Sequence, residues 1–250
     1  MDIILSQMLK PPKLKNMKKA LCIQPHPDDN EVGMGDGIAK LVQEGVEVHY
    51  LTVTDGSLGL LDDSMTHAEL AEIRRKETID SGTVLGVKEF HFLDYQDGTL
   101  NDIYKLSGDI AEVVRTIKPD IVFAPDPWLN YEAHQDHIVT GKAAAQCFIT
   151  SYLYEYPLGT KTLPHKLKAI GFYFSSKPNT VVDTTKTFDL KIKAMAKHKT
   201  QFDKKTMMLF SLYFKQKAKD AAKNQKFKLG CALKIMGENH MHCFTDAENV

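Results

Sequence analysis

The sequence predicts an α/β fold: a Rossmann-like, mostly parallel sheet with helices on both faces and a C-terminal strand and helix elaboration. Three observations predict it. Short apolar, β-rich runs alternate with longer stretches of helical periodicity between Lys19 and Tyr152, the pattern of βαβ crossovers. The runs are apolar enough to be buried on both faces, as parallel strands are. After about Ser151 the alternation gives way to a strand pair and a long helical stretch.

The elements follow in order. Residues 1–18 carry two prolines and several lysines and read as a loose N-terminal arm; 19–250 read as a single domain. Lys19 to Gln24 is an apolar strand. Asp28 to Asn30 supply N-cap chemistry for a helix whose stripe is Ile38, Leu41 and Val42, ending near Gly45. Val46 to Thr54 is the second strand, closed by Asp55-Gly56. Thr66 to Leu85 is an amphipathic helix stopped by Gly86. Glu89 to Leu93 is a third strand, and Asp102 to Ile117 a helix terminated by Pro119. Asp120 to Ala124 is a fourth, buried strand, and His137 to Tyr152 the next helix. Ala169 to Ser175 and Thr180 to Asp183 form the strand pair, and Phe188 to Gln225 is mostly helical.

Composition excludes some functions. Over 250 residues, 32 basic and 32 acidic side chains cancel, so no charge asymmetry favours nucleic acid or an anionic membrane. The lysine-rich stretches Lys10 to Lys19 and Lys215 to Lys228 read as solvated faces. Cys22, Cys147, Cys231 and Cys243 include no C-x-x-C pair, which suits a reducing, cytoplasmic protein without structural disulfides. No apolar run reaches 18 residues and no secretory h-region is recognisable.

In open α/β sheets, sites form outside the carboxyl ends of the strands. The first strand ends in Pro25-His26-Pro27-Asp28-Asp29. The second ends in Thr54-Asp55-Gly56-Ser57. The fourth ends in Pro125-Asp126-Pro127-Trp128 and soon reaches Ala133-His134-Gln135-Asp136-His137. The first and fourth clusters can face one crevice and together offer His, Asp and His, a set suited to a catalytic zinc with an open position. One aspartate can ligate while its neighbour acts on water; one histidine can ligate while the other faces substrate. Gly33, Gly35 and Gly37 do not make a dinucleotide site, because the G-x-G-x-x-G order is absent and they follow an acidic loop.

The pair PHPDD and AHQDH resembles the PIG-L/LmbE-type zinc de-N-acetylases, which act on N-acetylglucosamine derivatives. "ALCIQPHPDDNEVG", "LTVTDGSLG", "EIRRKE", "FLDYQDGTL", "DPWLNYEAHQDH" and "KPNTVVD" together resemble the archaeal diacetylchitobiose deacetylases within it. The resemblance implies an LmbE-like fold, with His26, Asp29 and His137 as zinc ligands and Asp28 as general base. It implies His134 as the histidine that stabilises the oxyanion, Asp136 orienting that histidine from behind, Arg74 as a substrate-binding arginine and Asp97 as a sugar-binding aspartate. One departure stands out: Gln135 replaces the family's usual proline, so loop stiffness loses its covalent source.

This chemistry suits amide hydrolysis. Zinc lowers the pKa of water to about 7 and polarises the acetyl carbonyl. Asp28 moves a proton from water to the leaving amine, His134, if protonated, donates to the oxyanion, and Arg74 and Asp97 can bind sugar hydroxyls. Trp128 is either a sugar platform or a core tryptophan. Near the C-terminus, His240 and His242 share a face if their segment is extended. The resemblance implies a homo-oligomer, hexameric as a rule, in which a C-terminal histidine, His242 in preference to His240, approaches a neighbour's site. The partners expected are thus a small acetylated amino sugar and copies of the chain, with no nucleic acid and no membrane. The alternatives are a GlcNAc-malate or GlcNAc-inositol deacetylase and a non-catalytic metal- or sugar-binding module.

Overall fold

In a computed structural model that describes residues 10–60 and 63–250, the alternating runs form the strands β1 (Lys19–Gln24), β2 (Glu47–Thr54), β3 (Glu89–Tyr95), β4 (Ile121–Pro125) and β5 (Ala169–Tyr173). All four pairings among them are parallel. Between them run α1 (Asp29–Gln43), α2 (His67–Leu85), α3 (Ile103–Ile117) and α4 (Gln135–Thr150). α2 starts at a capping box, Thr66 with Glu69, and stops at Gly86 in the left-handed conformation, as its sequence signals require.

With β6 (Thr180–Asp183) and β7 (Gly230–Met236), the order across the sheet is β3-β2-β1-β4-β5-β7-β6 among the described residues. The order reverses between β1 and β4, so their carboxyl ends flank the switch point where such sheets bind ligands. Each face carries a core. Leu106, Ile110, Val139 and Ala143 of α3 and α4 cover Leu21, Ile23 and Val122 on one side. Met34, Ile38 and Leu85 of α1 and α2 cover Ala20, Cys22 and Tyr50 on the other.

The C-terminal half departs from the expected strand pair. β5 and β6 (Thr180–Asp183) do not pair with each other. The strand β7 (Gly230–Met236) lies between them, antiparallel to both. The helical stretch is two helices, α5 (Phe188–Met195) and α6 (Lys204–Ala221). The arm also differs from expectation where it is described; its residues 1–9 lie outside the described residues. Met17 is buried in the core, and the Lys18 amide donates to Asp120 Oδ2 at 2.7 Å. Gly33 lies against Tyr173: a Cβ there would come within 2.3 Å of its ring, so the glycine serves sheet packing. Among the described residues no helix is long and apolar enough to cross a membrane.

Candidate active site

The first loop is built by local hydrogen bonds. Gln24 donates to Thr52 Oγ1 at 2.9 Å and accepts from the Asn30 amide at 3.0 Å, joining the end of β1 to β2 and to α1. Asp29 Oδ2 accepts from the His26 amide at 2.9 Å. Asp28 occupies the N-cap position of α1, yet its side chain caps no amide, contrary to the expected capping role. Its φ of 120° is a strained conformation for a non-glycine residue, costing about 1–3 kcal/mol. That backbone turns the carboxylate toward Arg74, whose Nη2 lies 3.3 Å from Asp28 Oδ2.

The two loops meet on Asp29. Its Oδ2 lies 3.3 Å from His26 Nδ1, and its Oδ1 lies 3.3 Å from His137 Nε2. His134 joins them: one ring nitrogen each from His26, His134 and His137 fall within 4.8 Å of one another. His134 is thus a further candidate donor beside the expected three. It occupies the N-cap position of α4, and Asp136 and His137 follow in the first turn.

Asp136 departs from expectation. Its Oδ2 lies 3.2 Å from His26 Nε2, and its two oxygens also accept from the Gly98 and Leu100 amides at 2.7 and 3.1 Å. It therefore braces His26 rather than backing His134. Asp97 does the same with Oδ1, 3.1 Å from His26 Nε2, while its Oδ2 accepts from the Leu58 amide at 3.0 Å. Asp97 lines the pocket with both oxygens engaged, as a brace as much as a sugar contact. Arg74 is buried, and it donates to the carbonyls of Gly56 and Pro27 at 2.8 and 2.6 Å. It also lines the pocket, where the expected substrate contact would lie.

Electrostatics set these groups apart. Burial and the Asp29 charge push the Asp28 carboxyl up to about 7, against the pull of Arg74, His198 and His26. Asp29 is held well below the usual carboxylate range: burial opposes this, and His137 and His26 override it. Burial also works against a charged His26, but contacts with Asp136, Asp29 and Asp97 push it up to about 12. Burial and the charges of His26 and His137 lower His134 below the usual imidazole range. Three carboxylates on one imidazole are a surplus of buried negative charge that a divalent cation neutralises, and the N and O donors suit zinc. The residues present therefore fit the expected metal.

Several members carry no motif signal. Glu132 accepts from the His134 amide through Oε1 at 2.8 Å and sets Oε2 3.4 Å from His137 Nδ1. It ties His134 and His137 to the same carboxylate. Glu77 on α2 accepts from the Thr200 amide and hydroxyl at 3.0 and 2.6 Å, which places Gln201 in the pocket wall. His198 is buried against Glu31 at 3.4 Å. The Glu77 and His198 contacts depend on burial and on partners far away in the chain, so short spacing could not reveal them, whereas Glu132 lies within five residues of both its histidines.

The pocket around His26, Asp28, Arg74, Asp97, His134 and Gln201 has a volume of about 270 Å³. Trp128 lies in a separate cavity of about 470 Å³ with Asp126, Phe172, Lys234 and Met236. It is 57 % exposed, with its ring edge-on to Phe172, which excludes the core reading. The segment Glu238–Met241 is a helical turn (α7), not extended. His240 is buried with Nδ1 accepting from the Gly237 amide at 3.0 Å, and His242 is exposed, so the two do not share a face.

A switch-point cleft with a histidine–carboxylate donor set and a second carboxylate beside it is the arrangement of a candidate metal-dependent hydrolase. The family described as GlcNAc-PI de-N-acetylase (PIG-L) matches residues 21–148. The chain is 38% identical over 203 residues to a diacetylchitobiose deacetylase of Thermococcus kodakarensis, covering 80% of this chain and 76% of that one. It is 27% identical over 214 residues to a probable N-acetyl-alpha-D-glucosaminyl L-malate deacetylase 2 of Bacillus cereus, covering 82% and 92%. The solved N,N'-diacetylchitobiose deacetylase of Pyrococcus horikoshii, in complex with its inhibitor, superposes with a TM-score of 0.90 at 36% identity, covering 100% of this chain and 94% of that one. The chain belongs to the PIG-L family.

Proposed function

We propose that this chain removes the N-acetyl group from N-acetylglucosamine units of small sugars, diacetylchitobiose or N-acetylglucosamine, and releases acetate. The observation that carries the reading is the placement of Asp28: its carboxylate lines the pocket with His26 and His134 beside Asp29, which meets His26 and His137, and burial and the Asp29 charge raise it toward the range of a base at neutral pH. The relatives named deacetylases support the amide class.

His26, Asp29 and His137 would hold zinc, which when bound acidifies water and polarises the acetyl carbonyl. Asp28 accepts the proton of the attacking water on its carboxylate and delivers it to the departing amine nitrogen. His134 offers a ring N–H to the oxygen of the tetrahedral carbon; loss of such a donor costs about 100- to 1000-fold in rate. Arg74 holds the Pro27 and Gly56 carbonyls, and so fixes the direction of Asp28.

The same proposal takes 19–250 as one catalytic domain and places it in the cytoplasm, supported by four free cysteines, three of them buried. It takes the protein as a homo-oligomer. In support, α6 exposes Met208, Leu209, Leu212 and Tyr213, each more than half accessible.

The test is acetate release from diacetylchitobiose, from N-acetylglucosamine and from GlcNAc-malate, with and without chelator. Release from the first two, abolished by chelator and restored by zinc, is expected. Release from GlcNAc-malate alone would move the substrate to the second class, and no release from any would leave a binding module.

A further inference from the structure

We propose that His49, Glu89 and His91 form a second, structural site for a tetrahedral divalent transition-metal ion, zinc or its equivalent, which clips the edge strand β3 to β2. The register sets the site. His49 on β2 stands opposite Glu89 on β3, and His91 follows two residues along on the same face. His49 Nδ1 lies 3.3 Å from Glu89 Oε2 and 3.4 Å from His91 Nε2, and the last two atoms are 3.8 Å apart. A tetrahedral zinc with bonds of about 2.0–2.1 Å to nitrogen sets its donors about 3.3–3.4 Å apart, close to this triangle. Glu89 is the exposed member, so the fourth position faces solvent.

The histidine tautomer agrees. His49 Nε2 lies 3.0 Å from Glu47 Oε1. With the proton on Nε2, donated to Glu47, Nδ1 would turn its lone pair toward an ion shared with His91 and Glu89. Glu47 is itself held by Lys19 and Lys88 at 2.9 and 2.6 Å. This carboxylate–histidine relay is the outer shell that fixes a metal-binding imidazole.

The site is remote from the catalytic pocket. It lies at the amino ends of β2 and β3, about 16 Å along β2 from Thr54 at about 3.3 Å per residue. The ion would act on the amino end of β3, away from Asp97, which follows the strand's other end.

The competing arrangement is a plain hydrogen bond from His91 Nε2–H to His49 Nδ1, with no ion. Metal counting separates them. Wild type and His91→Gln are saturated with zinc, freed of excess by dialysis, and analysed for zinc per chain. The expected result is one equivalent fewer in His91→Gln, with deacetylase activity unchanged. The readout is the difference between the two proteins, so it stands whether or not the catalytic site holds zinc. Glu89→Gln, at an exposed side chain, is the second variant should His91→Gln fail to fold, and it should weaken the same equivalent at least tenfold. Glu47→Gln should weaken it about 10- to 100-fold. Equal zinc contents in wild type, His91→Gln and Glu89→Gln would overturn the proposal.

Discussion

Asp136 Oδ2 lies 3.2 Å from His26 Nε2, on the far side of the ring from Asp29, which meets Nδ1 at 3.3 Å. One imidazole is thus gripped at both nitrogens by carboxylates. Asp136 holds Nε2, whereas Asp29 on the Nδ1 side is itself an expected ligand, so the Asp136 contact would leave Nδ1 to ligate and make it a stronger donor. Asp136→Asn removes the charge and keeps the shape. It should weaken metal binding about 10- to 100-fold, seen as a lower chelator concentration needed for half-inactivation. Unchanged metal affinity with a fall in kcat alone would place Asp136 behind His134 instead.

Asp28→Asn separates base from ligand. Metal should remain bound while kcat falls at least about 100-fold. Stability gives an independent readout in the presence of chelator. The Asp28 pKa rises from 3.8 to about 7 on folding, so between those values the folded chain binds more protons than the unfolded one. Stability attributable to this group is therefore lost as pH rises through that window. Asp28→Asn should melt higher than wild type at pH 8, and the two curves should converge near pH 4. A lower melting temperature at pH 8 would contradict the burial of a strained, ionised carboxylate.

Arg74 lowers the Asp28 pKa, so its removal should move the acid limb of kcat/KM to higher pH. Arg74→Ala should also destabilise by about 3–5 kcal/mol, because a buried ion pair loses one partner. Arg74→Lys keeps the charge and loses the fork, so its acid limb should stay near that of wild type. Gly56→Ala tests the same contact from the other side. Gly56 has φ +68° and a Cβ there would lie 2.8 Å from Arg74 Nη1. It should reproduce part of the Arg74→Ala loss, as read in pH–rate profiles and melting curves.

The parallel half of the sheet and the two loops that face the switch point were legible because their signals are local. Apolar runs, the Gly86 stop and the two clusters each sit within a few residues. β7 was not legible. Cys231, Leu233 and Ile235 do alternate, but the run is short and its place between β5 and β6, antiparallel to both, is set by distant partners. The Asp136 contact was missed for a related reason. A motif fixes which residues occur at a loop, whereas the partner of a buried carboxylate is decided by the Gly98 and Leu100 amides that hold it. The α7 turn defeated the reading of His240 and His242 because four residues are too few to show a helical period.

Trp128 offers an exposed ring beside Lys234 and Asp126, in the cavity next to the β4–α4 loop. If the second sugar of a disaccharide stacks there, Trp128→Ala should raise KM for diacetylchitobiose several-fold and leave that for N-acetylglucosamine unchanged. Equal effects on the two substrates would remove the platform role. The exposure of the ring makes general unfolding of this variant the less expected result.

The final prediction concerns assembly. His242 follows α7 on the surface, with Nε2 3.8 Å from Cys243 Sγ, and lines neither the His26 pocket nor the Trp128 cavity. A role in catalysis therefore requires another copy of the chain, brought into register by closed symmetry. His242→Ala should lower activity without altering metal content, since its own chain keeps His26, Asp29 and His137. Mixing His242→Ala chains with Asp28→Asn chains under subunit exchange gives some interfaces with an intact Asp28 on one side and an intact His242 on the other. Activity of the mixture should then exceed the mean of the two parents at equal total protein. Light scattering of wild type should give a mass several times that of one chain. A monomeric mass, or no gain on mixing when labelled chains are shown to exchange, would confine the active site to a single chain and leave His242 as a surface residue.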